Sequence, residues 1–378
     1  MLPSRGFIPS PLVAVERPLA TVDPMADLTE LARRFRAFAQ VTGKASPLYA
    51  QLSIAIADEP ELMRLLHAAP EQQQIPVLLF AAVHDLLLRG KGAELAAFYP
   101  NLSTSIPEGD PYAAFRRVAL ANGDALRATI ATRNTQTNEV GRCAYFLPVF
   151  ALVADEVGAL AHLDVGASAG LNLSWPLYSY EYQPGGSVGP GSTVQLSCKT
   201  RGEPPIPKAM PQLAHGIGLD MSPIDVRDDE AVRWLVACVW PDQAGRFERL
   251  VAAIQIARES PPDIRQGDAV ANVGALVDEV AAFGHPLVTT SWILNYLPEA
   301  GQLAFVAELD KVGDHRDLSW VVAESPVQTP GLPIPTTAVE EITVISLVTW
   351  RSGERAIRRF ATAHPHGSWL NWEPTFPV

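Results

Sequence analysis

The sequence predicts an α/β protein in two parts: an all-helical N-terminal domain, then a parallel sheet covered by helices and closed by an antiparallel hairpin. Three observations carry this. From Met25 to about Gly158, apolar residues recur at helical spacing and no stretch alternates. After Gly158, short apolar runs alternate with helix-like segments, the grammar of a parallel sheet. Late in the chain, Glu341–Trp350 and Arg355–Ala363 flank Arg351-Ser352-Gly353-Glu354, a hairpin pattern. With 378 residues and a hydrophobic fraction of 48%, the chain has enough apolar side chains for two cores.

Residues 1–24 are proline-rich and lack the uninterrupted apolar run of a signal peptide, so a disordered tail is expected, or an extension upstream of a start at Met25. The helical domain is expected over 25–158. Leu28, Leu31, Phe35 and Phe38 form its first apolar stripe. Further helices are expected at Leu48–Ile56, Glu59–His67, Pro76–Arg89, Pro111–Ala121 and Gly141–Val157. Gly90, Pro100-Asn101 and Pro107–Pro111 mark turns between them. His84 lies within an apolar helix and reads as a core histidine. The second domain spans 159–378, with strands at Ala159–Val165, Ile217–Leu219, Pro286–Thr290 and Leu318–Ala323. Helices at Asp228–Val239, Ala244–Arg258, Val270–Phe283 and Glu299–Val312 alternate with these strands. A Pro/Gly-rich insertion occupies about 176–212.

Charge narrows the partners. The chain has 29 basic and 41 acidic residues, a net charge of −12, and only five of the basic residues are lysines. No nucleic-acid partner is expected without a basic face to neutralise phosphates. An anionic membrane would repel the acidic surface. The most apolar helix, Ile75 to Leu88, is too short to span a bilayer and contains His84 and Asp85. Cys143, Cys198 and Cys238 are far apart with no CxxC, which points to reduced thiols and a cytoplasmic location. His364 and His366 lack a companion cluster, so no metal site is expected. The expected partner is a small molecule.

The most informative segment is Leu163-Asp164-Val165-Gly166-Ala167-Ser168-Ala169-Gly170-Leu171-Asn172-Leu173. It ends a strand, turns tightly and is expected to open a helix, whose N–H groups would favour an anionic group. Two chemistries share this appearance. Gly166-Ala167-Ser168-Ala169-Gly170 satisfies the G-x-S-x-G nucleophile elbow of a serine hydrolase, with His364 or His366 and Asp268 or Glu324 to complete a triad. Against this, about 130 helical residues precede the first strand, and no HGGG-type run is present to form an oxyanion hole.

The same segment resembles the first motif of class I S-adenosylmethionine-dependent methyltransferases, which have a Rossmann-like sheet: an apolar strand, an acidic residue and a small-residue turn. Asp164, Gly166 and Gly170 match, and Ser168 stands where a glycine is usual. The later motifs come in order. Ile217-Gly218-Leu219-Asp220-Met221 resembles the second, whose carboxylate, here Asp220, accepts hydrogen bonds from the ribose hydroxyls. Arg265-Gln266-Gly267-Asp268-Ala269 resembles the third, where Asp268 would receive the adenine amino group and the Ala269 N–H would meet the ring. Leu287-Val288-Thr289-Thr290-Ser291-Trp292 falls where the fourth strand ends beside the transferable methyl. Gly170 and Asp220 are about 50 residues apart, against roughly 20 in related nucleotide folds, and the insertion accounts for the excess.

The resemblance implies S-adenosylmethionine as cofactor. Its methionine part would be held by Gly166, Ala167, Ser168 and Gly170, with Asp164 organising the turn. The remaining contacts would come from Asp220, Met221, Gly267, Asp268, Ala269 and Ser291. Glu324, at the end of its strand, and His366, after the last one, are the candidate catalytic bases. Asn138, Glu139 and Arg142 precede the helix leading into the first strand and are candidates to close over the cofactor. A non-catalytic nucleotide-binding protein is a third reading. The segments Gly166–Leu173, Trp240-Pro241-Asp242-Gln243 and His364-Pro365-His366-Gly367-Ser368-Trp369 also resemble an uncharacterised bacterial family, domain of unknown function 2332. That resemblance covers nearly the whole chain from Met25 and supplies no activity.

Overall fold

In a computed structural model the described residues are 24–334 and 342–375. The expected tail, up to residue 23, and the expected first hairpin residue, Glu341, lie outside them. The fold is α/β, with many helices and one large mixed sheet. It divides into two compact units. One comprises the described residues up to Thr137 together with Asp229–Glu248; the other comprises Asn138–Asp228 and the residues from Arg249 onward.

The boundary is therefore not at about 158. Helix Cys143–Val157 belongs with the sheet, because its first nine residues are all buried and need apolar neighbours all round. Phe150 packs edge-on against His162 and Trp175 of the same unit. Conversely, helix Asp229–Ala237 joins the helical unit. There Trp234 enters the core and donates its indole N–H to the Asn134 carbonyl at 2.8 Å, while Arg233 pairs with the buried Asp85 at 2.9 Å.

Within the helical unit, proline opens the helices Pro47–Ile56, Pro60–Met63, Pro76–Leu88 and Pro111–Ala121, at the one helical position where a missing N–H costs nothing. Ser46 and Asp110 cap two of these helices by accepting from the Tyr49 and Tyr112 N–H groups. A helix at Gly123–Thr132, beyond those expected, completes this part. Phe80 sits at the core centre, stacked on Tyr49 at 4.3 Å and edge-on to Phe35 and Phe115. His84 is the expected core histidine. Its Nδ1–H donates to the Ala237 carbonyl at 2.9 Å and its Nε2 accepts from Asn101 at 3.0 Å. Burial pushes its pKa down to about 4.

The sheet strands are β1 (Leu160–Val165), β2 (Ser179–Gln183), β3 (Gly186–Val188), β4 (Gln195–Arg201), β5 (Leu213–Asp220), β6 (Asp263–Gln266), β7 (His285–Ser291), β8 (Leu318–Glu324), β9 (Thr343–Arg351), β10 (Glu354–Ala363) and β11 (Trp369–Thr375). Their order is β3-β2-β4-β11-β10-β9-β8-β7-β1-β5-β6. The run β8-β7-β1-β5-β6 is parallel. β9 and β10 form the expected antiparallel hairpin beside β8. The segment expected as an insertion supplies β2, β3 and β4. These strands enter the same sheet through β11, which pairs antiparallel to β10 and parallel to β4. β1 is buried at all six residues, as a strand covered on both faces must be. Val273, Val277, Phe305 and Leu309 from the helices Ala269–Val280 and Glu299–Gly313 pack over it and its neighbours. Among the described residues no helix is long and apolar enough to cross a membrane.

Candidate functional site

The C-terminal ends of β1, β5, β6, β7 and β8 lie along one edge of the sheet, where open parallel sheets bind ligands. The turn after β1 sits at the centre of this edge. Gly166, Ser168 and Gly170 have φ of +78°, +55° and +69°, so every second residue after Asp164 is left-handed. Ser168 therefore holds a conformation natural to glycine. The flanking glycines are also required by space. A Cβ on Gly166 would meet Ile293 Cγ1 at 2.5 Å, and one on Gly170 would meet Pro262 Cγ at 2.7 Å.

The chain does not leave this turn as an α-helix. Leu171–Leu177 is a 3-10 helix with Pro176 inside it. The expected row of free helical N–H groups is absent, and the turn's own donors are engaged. The Gly166 and Ala167 N–H groups donate to the Leu219 carbonyl, and Gly170 N–H donates to the Ala167 carbonyl. The Ser168 N–H bonds Asp220 Oδ2 at 2.8 Å. Asn138 Oδ1 accepts from Ala169 at 3.2 Å and from Leu171 at 3.0 Å. The turn offers shape but no amide cradle for an anion. This corrects the expectation of an anion site and leaves no amide donor for a phosphate.

Asp220 joins the turn to the end of β5. Its second oxygen accepts from the Ser222 N–H at 2.8 Å, and its carbonyl takes the Gly267 N–H at 3.0 Å. Met221 beside it is 59% exposed, a large apolar side chain presented at the strand edge. Asp268 caps helix Ala269–Val280 by accepting from the Ala271 N–H at 2.9 Å. Turn, Asp220, Gly267 and Asp268 thus lie at the ends of three neighbouring strands.

The other half of the edge is built on β7 and β8. Asp164 is buried. Its Oδ1 accepts from Thr289 Oγ1 at 2.7 Å, and that hydroxyl in turn accepts from His162 Nε2 at 2.8 Å. The other carboxylate oxygen, Oδ2, is buried without a partner. Loss of hydration pushes the Asp164 pKa up to about 7, against the Thr289 hydrogen bond and the Arg142 charge; Asp220 adds to the rise. His162 is pushed down to about 3 by burial.

Glu324 is buried as completely. Its Oε1 accepts from the Ile293 and Leu294 N–H groups at 3.2 and 3.3 Å, and Oε2 has no partner. Burial raises its pKa to about 7, against those hydrogen bonds and Arg142. Arg142 donates through Nη1 to the Ser291 carbonyl at 2.7 Å and through Nε to the Pro365 carbonyl at 3.2 Å. Ser291 Oγ and the buried Tyr145 hydroxyl are 2.9 Å apart. Between Ser291 and Ile293, Trp292 has φ +56°, a strained position of the kind that clusters at functional sites.

His366 sits in a loop that packs tightly on Gly141. A Cβ on Gly141 would lie 2.4 Å from the His366 carbonyl oxygen, and the His366 N–H donates to His364 Nδ1 at 3.1 Å. The nucleophile-elbow arrangement is not assembled. The Ser168 hydroxyl is buried and has no hydrogen-bond partner, so no imidazole stands ready to activate it. Ser168→Gly should therefore stabilise the protein by about 1 kcal/mol, removing the left-handed strain and an unsatisfied hydroxyl at the cost of glycine's backbone entropy. Chemical denaturation measures this directly. Among the described residues no group of three or more His, Cys, Asp or Glu is placed to hold a metal ion.

Tyr145, His162 and Thr289 are site residues that the sequence does not mark. Each lies within an apolar run whose periodicity reads as core, and only the packing turns their polar atoms toward Ser291 and Asp164. Asn138 and Arg142 are marked by position and do reach the edge. Comparison with curated proteins gives no match. Residues 32–372 match the family model described as "Uncharacterized protein conserved in bacteria (DUF2332)", nearly the full length of the chain, and the protein belongs to that family.

Proposed function

We propose that this protein is an S-adenosylmethionine-dependent methyltransferase with a Rossmann-like sheet, acting on a small molecule. One observation carries the reading: Asp164 followed by left-handed backbone at residues 166, 168 and 170, on a strand that is first in sequence and flanked by parallel β5 and β7. The donor set supports it. The strand ends carry carboxyl groups (half-buried Asp220, buried Asp164 and Glu324) and the turn no free amides, which suits a ligand rich in hydroxyl and amino donors and carrying no phosphate. The first-in-sequence position of β1 and the unassembled Ser168 disfavour the hydrolase reading.

In this reading Asp220 accepts from the ribose hydroxyls. Met221 covers one face of the adenine, and Asp268 accepts from its amino group. When bound, S-adenosylmethionine would supply an electrophilic methyl carbon on sulfur, to be transferred to an oxygen or nitrogen of the acceptor with the thioether as leaving group. Glu324, whose pKa burial raises to about 7, acts in its ionised form and receives the acceptor's proton on its unengaged oxygen, becoming the neutral acid. Alignment of donor and acceptor supplies much of the rate. His366 remains a second candidate base.

Isothermal calorimetry with S-adenosylmethionine and S-adenosylhomocysteine tests the reading. Both should bind, and Met221→Ala, an exposed change that spares the fold, should weaken both about tenfold, or about 1.4 kcal/mol. If neither binds at millimolar concentration and Asp220→Ala changes nothing, the proposal is wrong.

A further inference from the structure

Arg142 differs from most arginines of this protein. Arg133, Arg233, Arg265 and Arg351 each lie 2.7–2.9 Å from a carboxylate oxygen. Arg142 is half-buried, yet among the described residues its hydrogen bonds go only to two neutral carbonyls, those of Ser291 and Pro365. Its charge reaches Asp164, Glu324, Tyr145 and Tyr296, but none of these forms an ion pair with it. A guanidinium taken partly out of water without a counter-charge is costly, and its remaining N–H donors have the planar fork that matches a carboxylate.

Its placement identifies the half of the site that it serves. The two carbonyls fix it to the end of β7 and to the loop after β10, beside the Ser291–Tyr145 hydroxyl pair. The groups assigned to the nucleoside, Asp220, Met221 and Asp268, sit at the ends of β5 and β6, on the far side of β1. Tyr296, 43% exposed just past the end of β7, adds an aromatic surface on the Arg142 side. We infer that Arg142 holds the acidic group of the methyl acceptor, which makes the substrate a small carboxylic acid bound with its carboxylate on the guanidinium and its apolar body near Tyr296. This rests on the methyltransferase reading. The Ser291–Tyr145 hydroxyl pair, one member of which donates to the other, keeps one O–H to donate laterally to a carboxylate oxygen.

The test uses matched probes: phenylacetate against phenylacetamide, and indole-3-acetate against its amide. Their affinities for the full-length protein, saturated with S-adenosylhomocysteine, are measured by ligand-observed NMR. Each acid should bind at least tenfold tighter than its amide. Arg142→Gln should bring that ratio to about one while S-adenosylhomocysteine affinity stays unchanged, and Arg142→Lys should retain part of the preference. A merely structural Arg142 would lower Tm in both variants without changing the acid-to-amide ratio, and that result overturns the proposal. So does equal binding of acids and amides, failure of every acid to bind, or loss of S-adenosylhomocysteine binding in Arg142→Gln, which would place Arg142 on the cofactor. Acid preference in a protein that binds no S-adenosylhomocysteine upholds the carboxylate site and removes only the methyltransferase reading beneath it.

Discussion

Asp164→Asn should become progressively more stabilising as pH rises from 4 to 8. Asp164 has an ordinary pKa of 3.8 in the unfolded chain and about 7 in the native state, where burial disfavours its charge. Between those values the native state binds more protons than the unfolded state, so the group's contribution to stability falls as pH rises and levels off above about 7. The displacement corresponds to on the order of 4 kcal/mol. Glu324, raised from 4.5 to about 7, acts in the same direction with on the order of 3 kcal/mol.

The wild-type curve alone would not isolate these carboxylates. His84 and His162, lowered to about 4 and about 3, stay neutral in the native state while their unfolded counterparts take up protons, so they make stability rise with pH over the same interval. The difference between variant and wild type removes them. Asparagine keeps the acceptor for Thr289 and cannot ionise, and Glu324→Gln likewise keeps an acceptor for the Ile293 and Leu294 N–H groups. Urea unfolding at pH 4.5, 6 and 8 should show the difference growing in favour of both variants. A pH-independent difference would mean that the carboxylate is hydrated and ionises normally in the native protein.

Gly166→Ala should cost on the order of 3 kcal/mol and disturb both halves of the candidate site. Two effects add. At φ +78° an L side chain is strained, and its Cβ would meet Ile293 Cγ1, Cβ and Cδ1 at 2.5, 2.8 and 2.9 Å. Ile293 cannot retreat freely, because its N–H holds Glu324 and the residue before it is the strained Trp292. The clash should therefore pass from the turn after β1 to the carboxylate at the end of β8. Gly90→Ala, just past the end of helix Pro76–Leu88, is the control: its φ is +76°, and no atom lies within 4 Å of the added Cβ. Guanidinium unfolding should show the Gly166 variant losing at least twice as much stability. Equal losses would show that backbone strain alone matters and that Ile293 yields.

The large features are legible in the sequence because they are local. Strand–helix alternation after residue 158, an aspartate at the end of β1 and β5, and the hairpin around Ser352-Gly353 all arise from hydrophobic period and turn chemistry within short windows. β4 and β11 are not legible as strands. β4 does alternate, burying Leu196, Cys198 and Thr200, but two of those three are small or polar and give a weak apolar signal. Its partner β11 is some 170 residues away, and pairing at that distance leaves no mark in a local window.

The sequence by itself therefore determined the α/β class, the order of the main elements and the residues that stand at strand ends. It also marked a tight small-residue turn after β1, while the left-handed backbone at Gly166, Ser168 and Gly170 and the absence of a following α-helix emerged only in the structure. The tertiary structure alone decided the division at Thr137/Asn138 and the entry of the 176–212 segment into the sheet. It also decided how the turn's amides are engaged, and that Asp164 and Glu324 are buried near neutrality around an Arg142 without a carboxylate partner. The physical reason is the same throughout: burial, pKa and charge compensation depend on which distant segments pack together, and a residue's own neighbours in the chain do not specify them.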